Sequence, residues 1–380
     1  MTVADPSVPG GTDPGEAGQD EDDLSFHRDL GGWPGVLTRL LGGVDLAPQE
    51  AGCALGQVLR GEASDAQVAA FAIALRAKGE TVGEMTGLVR AMIRHAEPLP
   101  LSVPGDVVDT CGTGGDRSAS VNASTMAALV VAGAGVPVCK HGGRAATSAA
   151  GSADVLEALG VVIDLDAAGV ARCVAEAGMG FCFAPRFHPA MRHAIPVRRE
   201  LGVPTLFNFL GPLANPARAR LQVVGVSDPR MAPKMLGVLA ANGARRAMVV
   251  HGADGLDELS PTGPNEVLVH DVEVDGPQPT GPPRRVTVDP QALGLGPASV
   301  ADLRGGDTAT NAEAVRRVLG GERGPQRDFV VLNAAAALVV AAAADDMAHG
   351  VALAEQVIDD GRAEAALDRL VAVSQAARAN

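Results

Sequence analysis

The 380-residue chain has no tyrosine, one tryptophan and eight phenylalanines. A surface that binds nucleic acid needs positive charge and aromatic faces for stacking. This chain carries a formal charge of −14, so nucleic acid is excluded as a partner. Cysteine is scarce too. The five present (Cys53, Cys111, Cys139, Cys173 and Cys182) are odd in number and lack CxxC spacing. That argues against a disulfide framework and fits a reduced, cytoplasmic protein. Cys111 and Cys139 read as small packing residues rather than nucleophiles. No apolar run reaches membrane-spanning length, and the Ala/Val stretch from Asn333 to Ala344 reads as a buried helix, so no membrane partner is expected. Neither GxGxxG nor GxxxxGK[ST] occurs, which disfavours a dinucleotide fold and a P-loop. His188 and His193 flank Pro189 without the HExxH spacing of a zinc site.

The first 30 residues hold eight acidic groups against Arg28 alone. They read as a disordered acidic tail, with neither the basic nor the apolar region of a signal peptide. From Trp33 to about Ala96 the apolar residues keep helical spacing, which predicts four short helices with starts at Ser64-Asp65 and Thr81. After Pro98-Leu99-Pro100, β-branched runs alternate with Ala-rich helical segments, the pattern of a parallel sheet. Strands are expected at Asp106–Asp109, Val136–Cys139, Gly180–Ala184, Leu221–Val226, Ala247–His251 and Phe329–Leu332, with an edge hairpin between Asp271 and Pro297. The domains implied are a tail over 1–30, a helical domain over 31–103 joined by helices from about 190–212, and an α/β domain over 104–380. Ligand would sit in the cleft between the two domains.

Two glycine turns follow strand candidates directly: Gly112-Thr113-Gly114-Gly115-Asp116, and Lys140-His141-Gly142-Gly143-Arg144. Glycine lets backbone N–H groups crowd an anion with no Cβ in the way, and a helix N-terminus behind the turn adds partial positive charge. Asn122, Ser124 and Thr125 fall where a helix begins, offering an amide and two hydroxyls to phosphate oxygens or a metal. Taken together, these features are an anion-binding floor. Asp257-Glu258, after a glycine turn at a strand's exit, suits Mg²⁺ when a polyphosphate supplies the remaining ligands. The segment from Phe183 to Leu201 concentrates Arg186, Arg192, Arg198 and Arg199 with the two histidines. Arg192 and Arg199 read as solvated charges. Arg198 opens a helix toward the cleft, where a guanidinium could grip a carboxylate bidentately.

With these motifs in order (GTGGD, NxST, KHGxR, GSADVLEALG, FAPRFHPAMRH, VRRELG, FNFLGPLANP, HGxDGLDELS and GPxRDxVxLNAA), the whole of 33–375 resembles the anthranilate phosphoribosyltransferase family. The resemblance implies an α/β fold with a small N-terminal helical domain on a larger, mostly parallel α/β domain, related to class II nucleoside phosphorylases and usually dimeric through the helical domains. It implies transfer of phosphoribose from 5-phosphoribosyl-1-diphosphate to the amine of anthranilate, in tryptophan biosynthesis, with two Mg²⁺ ions. By the same resemblance Gly112, Gly115, Asp116, Ser120, Asn122, Ala123, Ser124 and Thr125 line the donor site, completed by Lys140, His141, Gly142, Gly143, Arg144, Ala145, Ala146, Thr147, Ser148 and Ser152. Ser124 would hold one Mg²⁺, and Asp257 with Glu258 the other. Gly112, Gly143, Arg198 and His188 would face the aromatic acid, with His141 and Ala184 as further acceptor-side residues and His141 a possible proton acceptor.

One departure stands out. The family reads Lys-His-Gly-Asn-Arg where this chain has Gly143, which removes an amide from the acceptor pocket. A paralogue with another small aromatic acceptor is the alternative this raises. A nucleoside phosphorylase and a donor-binding regulator without activity are two further readings, each disfavoured by the retained Asp257-Glu258 and Asn-x-Ser-Thr.

Overall fold

The helical starts predicted from Ser64 and Thr81 are present in the computed structural model, which describes residues 26–116, 118–145, 150–277 and 281–378. Helices run over Gly32–Leu41, Pro48–Arg60, Asp65–Lys78 and Val82–Arg94. Thr81 closes a reciprocal cap: the Glu84 N–H donates to Thr81 Oγ1 at 3.1 Å, and the Thr81 N–H donates to Glu84 Oε2 at 2.9 Å. Residues 1–25 lie outside the described residues, so the tail reading is untested there. Its boundary at 30 does not hold, because Phe26 and Leu30 are buried in the bundle and Phe26 meets Trp33 edge-on at 5.5 Å. Two large apolar side chains gain more from that core than an acidic context costs them.

Seven strands form one sheet: β1 Val108–Gly112, β2 Val138–Gly142, β3 Met179–Phe183, β4 Leu221–Gly225, β5 Arg246–His251, β6 Asn265–Asp271 and β7 Arg284–Val288. Their order is β3-β2-β1-β4-β5-β6-β7, parallel through β5 and antiparallel at β6 and β7. The edge hairpin therefore exists but opens at Asn265, before the segment expected. Phe329–Leu332 is not a strand. It lies inside the helix Pro325–Val340, begun by Gly324 and Pro325 and buried along most of its length. A helix packed on every side has no apolar periodicity, so its β-branched run mimics a central strand.

Alternation along the central strands sorts side chains into two cores. Leu221, Val223, Met248 and Val250 face the core built with the helices Ala123–Gly133 and Pro325–Val340. Val224, Val226, Ala247 and Val249 face the other, which contains the helix Ala232–Ala241, the N-terminal bundle, and Ala194, Val197, Leu206, Phe207, Phe209 and Leu210. One sheet face is thus covered by the bundle and segment 194–210 together. Strand order reverses between β1 and β4, whose crossover helices leave on opposite faces, so the loops at their C-terminal ends part and open a crevice.

Candidate active site

The crevice floor is fixed by close approach. The loop carrying Asp257 and Glu258 follows β5 and crosses the ends of β1 and β4 so tightly that a Cβ on Gly112 would lie 2.2 Å from Asp257 Oδ2, and one on Gly225 would lie 1.5 Å from the Asp257 carbonyl oxygen. Only glycine fits at either strand end. Asp257 Oδ2 then accepts the Gly114 N–H at 2.6 Å, and Glu258 Oε1 accepts the Ser124 N–H at 2.9 Å. Each carboxylate is oriented by a backbone donor, and Asp116 stands beside Asp257. Gly114 and Gly115 have φ of +66° and +83°, conformations that L side chains rarely adopt.

Asp116, Asn122, Ser124 and Lys140 gather on this floor, each in its own tie. Asp116 accepts from the Ser118 hydroxyl at 2.8 Å, and that hydroxyl lies 3.1 Å from Ser120 Oγ. Ser120 itself is bridged to Arg304, at the margin. Asn122 does not cap its helix. Its Nδ2 donates to Ala150 O at 3.2 Å and its Oδ1 accepts from Asn311 at 3.0 Å, which joins the two glycine loops. Ala123 and Thr125 are wholly buried at the first turn. Lys140 is only 2% exposed; its ammonium donates to Thr110 O and lies 3.3 Å from Ser124 Oγ, beneath the floor rather than in the open crevice.

The second glycine loop folds back on the helix Ser152–Ala158. A Cβ on Gly142 would meet Ser152 Oγ at 2.4 Å, and Ser152 Oγ donates to Gly143 O at 3.3 Å. Arg144 turns from the crevice to Asp154 (2.7 Å) and Glu157 (2.8 Å), and these carboxylates hold its guanidinium pKa above the usual range. Asp154 also accepts the Ala145 and Gly151 N–H groups at 3.0 and 2.9 Å. Ala146, Thr147 and Ser148 lie outside the described residues. Gly143 has no positive φ, and among the described residues a Cβ there would touch only the Ala184 methyl at 4.0 Å. No described residue therefore bars the Cβ of the asparagine that the resemblance leads one to expect.

Beside the floor stands a wall of side chains. His141 Nδ1 lies 3.2 Å from Gly211 O and His188 Nε2 lies 2.9 Å from Ala214 O, with the two rings 5.1 Å apart. Burial lowers the pKa of His141 to about 3 and of His188 to about 4, with repulsion between the rings adding to the first. Both are neutral at pH 7, and each spends its single N–H on a carbonyl. Nε2 of His141 is left buried with no partner among the described residues. Arg198 lies over the Phe207 ring at 5.8 Å and makes no ion pair with a described residue; burial lowers its pKa. Arg192 and Arg199 are exposed.

Several positioning groups escaped the sequence reading. Asp109, wholly buried in β1, accepts the His141 N–H at 3.0 Å and Asn215 Nδ2 at 2.8 Å, and Asn215 also donates to Cys139 O at 2.8 Å. The one signal available was a carboxylate inside a β-branched run, where a charge must be paired. Gly151 is a second: a Cβ there would lie 2.4 Å from Ala145 N.

Asp257 and Glu258 are half-buried, and both carboxyls are held above their usual range, first by desolvation and then by repulsion from Asp116 and from each other. Hard oxygen donors that resist ionising side by side suit a cation. Among the described residues no three His, Cys, Asp or Glu side chains converge to hold a metal alone, so a cation here needs oxygens from a ligand.

A helical bundle over one face of a mostly parallel sheet, with a glycine-walled acidic crevice at the strand reversal, is the architecture of a two-domain glycosyltransferase. Family models agree: residues 34–96 match the glycosyl transferase family helical bundle domain, and 104–364 match its a/b domain. An anthranilate phosphoribosyltransferase of Salinispora arenicola is 53% identical over 91% of this chain and 98% of its own. The structure from Thermus thermophilus superposes with a TM-score of 0.83 at 41% identity, over 90% of this chain and 99% of that one. One from Saccharomyces cerevisiae, in complex with PRPP and Mg, does so at 0.81 and 26%, over 90% and 98%. The chain belongs to the anthranilate phosphoribosyltransferase family.

Proposed function

We propose that the protein transfers the phosphoribosyl group of 5-phosphoribosyl-1-diphosphate to the amine of anthranilate, releasing diphosphate and forming N-(5-phosphoribosyl)anthranilate, a step of tryptophan biosynthesis. The observation that carries this reading is the crevice at the ends of β1 and β4, where Asp257 and Glu258, each oriented by a backbone N–H, stand with Asp116 beside the GTGGD turn. Asp257 with Glu258 would hold one Mg²⁺ together with the donor's diphosphate and Ser124 a second, and the ions would supply positive charge to the leaving group. The C1–O bond to diphosphate breaks as the amine nitrogen bonds to C1, with no protein nucleophile. What the chain supplies is position and a preorganised field: the N–H groups after β1, the helix start at Ala123–Thr125, and Lys140 as buried positive charge beneath them.

Arg198, stacked on Phe207 and without an ion pair among the described residues, receives the acceptor carboxylate. His141 and His188 form the neutral wall beside Gly143 and Ala184. An imidazole whose pKa lies near 3 is too weak a base to keep a proton at pH 7, so His141 acts as a hydrogen-bond acceptor for the arylamine, and water or the departing diphosphate takes the proton. We further infer a homodimer, supported by Leu41, Val44, Ile195 and Val203 left exposed around the bundle. Residence in the reducing cytoplasm is supported by five free cysteines. The deciding assay is diphosphate release from 5-phosphoribosyl-1-diphosphate with anthranilate as acceptor. No release with both substrates saturating and Mg²⁺ present overturns the proposal.

A further inference from the structure

Asn333 is the one polar residue in Phe329–Val340, a run of Ala, Val, Leu and Phe within the helix Pro325–Val340. An asparagine costs helix stability relative to alanine and, when 5% exposed, demands partners for its amide. All its partners are backbone groups. Oδ1 accepts the Leu259 N–H at 2.9 Å, while Nδ2 donates to Leu259 O at 2.8 Å and to Phe329 O, one turn back in its own helix, at 2.9 Å. The side chain thus engages both faces of one residue, as a neighbouring strand would, and Leu259 directly follows Asp257-Glu258.

The consequence reaches the carboxylates. Among the described residues Asn333 lines one small cavity with Thr110, Ser124, Asp257 and Glu258. The DE loop is held from the other side by the Gly114 and Ser124 N–H groups and by its fit over Gly112 and Gly225. Without the Asn333 amide, the N–H and the C=O of Leu259 each lose a hydrogen bond where the residue is wholly buried, and Leu259 must shift to satisfy them. That shift moves two carboxyls already crowded by mutual repulsion.

We infer that Asn333 is a positioning residue for the cation site: its amide, clamped on Leu259, sets the spacing of the Asp257 and Glu258 carboxylates for a divalent ion. This rests on the functional reading above. Groups that orient the ligands of a metal change its affinity by roughly 10- to 100-fold when removed.

The test is a titration of Mn²⁺ into the full-length protein with saturating 5-phosphoribosyl-1-diphosphate, followed by electron paramagnetic resonance, on the native chain and on Asn333→Leu, which keeps the branched side-chain skeleton and removes the amide. The Mn²⁺ dissociation constant is expected to rise about tenfold or more. The Mg²⁺ concentration for half-maximal activity should rise in parallel, with the KM for anthranilate within twofold. A purely architectural asparagine gives another result: a lower melting temperature and fewer active molecules, each binding Mn²⁺ as tightly as the native chain, and this overturns the inference. If Asn333→Leu yields no folded protein, Asn333→Ser is read the same way, with a shift of threefold or more expected. A native chain that binds no Mn²⁺ with the donor overturns the functional reading itself, whereas native binding with unshifted variants overturns only the role of Asn333.

Discussion

The floor of the crevice and its wall stand at the strand ends of one sheet but are made of different material. On the floor the glycine-rich backbone presents two carboxylates, oriented by the Gly114 and Ser124 N–H groups and set by a contact so close that Gly225 admits no side chain. On the wall the groups facing a ligand are side chains, two neutral imidazoles and one guanidinium that makes no ion pair among the described residues, gathered from β2, the segment after β3 and the helix Ile195–Leu201. A floor of backbone suits a polyanion, which needs many N–H groups and tolerates few alternatives. A wall of side chains suits a small aromatic acid, because the ligand can be changed one residue at a time.

Overfilling the floor should break this contrast most strongly. Gly225→Ala places a methyl where the Asp257 carbonyl stands, and we expect about 3 kcal/mol of destabilisation and loss of measurable turnover. Denaturant melts and diphosphate release check both. Next, Asp257→Ala with Glu258→Ala should raise the Mg²⁺ requirement at least tenfold while leaving the anthranilate KM within about threefold, as read from metal titrations at fixed acceptor. On the wall, Arg198→Ala should raise the KM for anthranilate by roughly 10- to 100-fold, the worth of a charged hydrogen bond, with the donor KM unchanged. An equal rise in both would dissolve the division between floor and wall.

The wall also makes a pH prediction. His188 titrates near 4 in the folded chain, below the ordinary 6.5, so between those values the unfolded chain binds more protons and stability falls as pH drops. The full effect is about 3 kcal/mol at most, is absent above pH 6.5, and should shrink in His188→Gln when melts are compared at pH 7.5 and 4.5. The smallest change is Gly143→Asn. Its Cβ meets only Ala184, so the fold should be untouched and anthranilate turnover altered by less than about tenfold, the worth of one neutral hydrogen bond. A larger gain would show that the wall is tuned to a different ring.

Legibility followed the same division. The glycine turns, the Thr81 and Ser64 caps and the parallel β/α order could be read directly, since each depends on sterics or hydrogen bonds within a few residues. The resemblance places Arg144 on the donor side, yet it turns to Asp154 and Glu157, because carboxylates on the helix that follows its loop outcompete an open crevice. Lys140, which the resemblance places in the donor site, lies under Thr110 and Ser124. Phe329–Leu332 read as a strand because burial on all sides erases the period that separates helix from strand. Asp109 and Asn215, 106 residues apart, gave no joint signal at all.

By itself, then, the amino-acid order determined where the backbone turns, where helices start, and which stretches bury their side chains, since local sterics and hydrophobicity act along the chain. Tertiary structure alone decided the surroundings of the polar groups: the Nε2 of His141, buried with no partner among the described residues, the guanidinium of Arg198 over the Phe207 ring, and the carboxyls of Asp257 and Glu258 crowded beside Asp116. It also decided that Asn333 would meet Leu259 from 74 residues away. The reason is physical. Burial and pairing are properties of the surrounding space, and an amide, imidazole or carboxyl takes its protonation and its role from whichever distant segments exclude water around it.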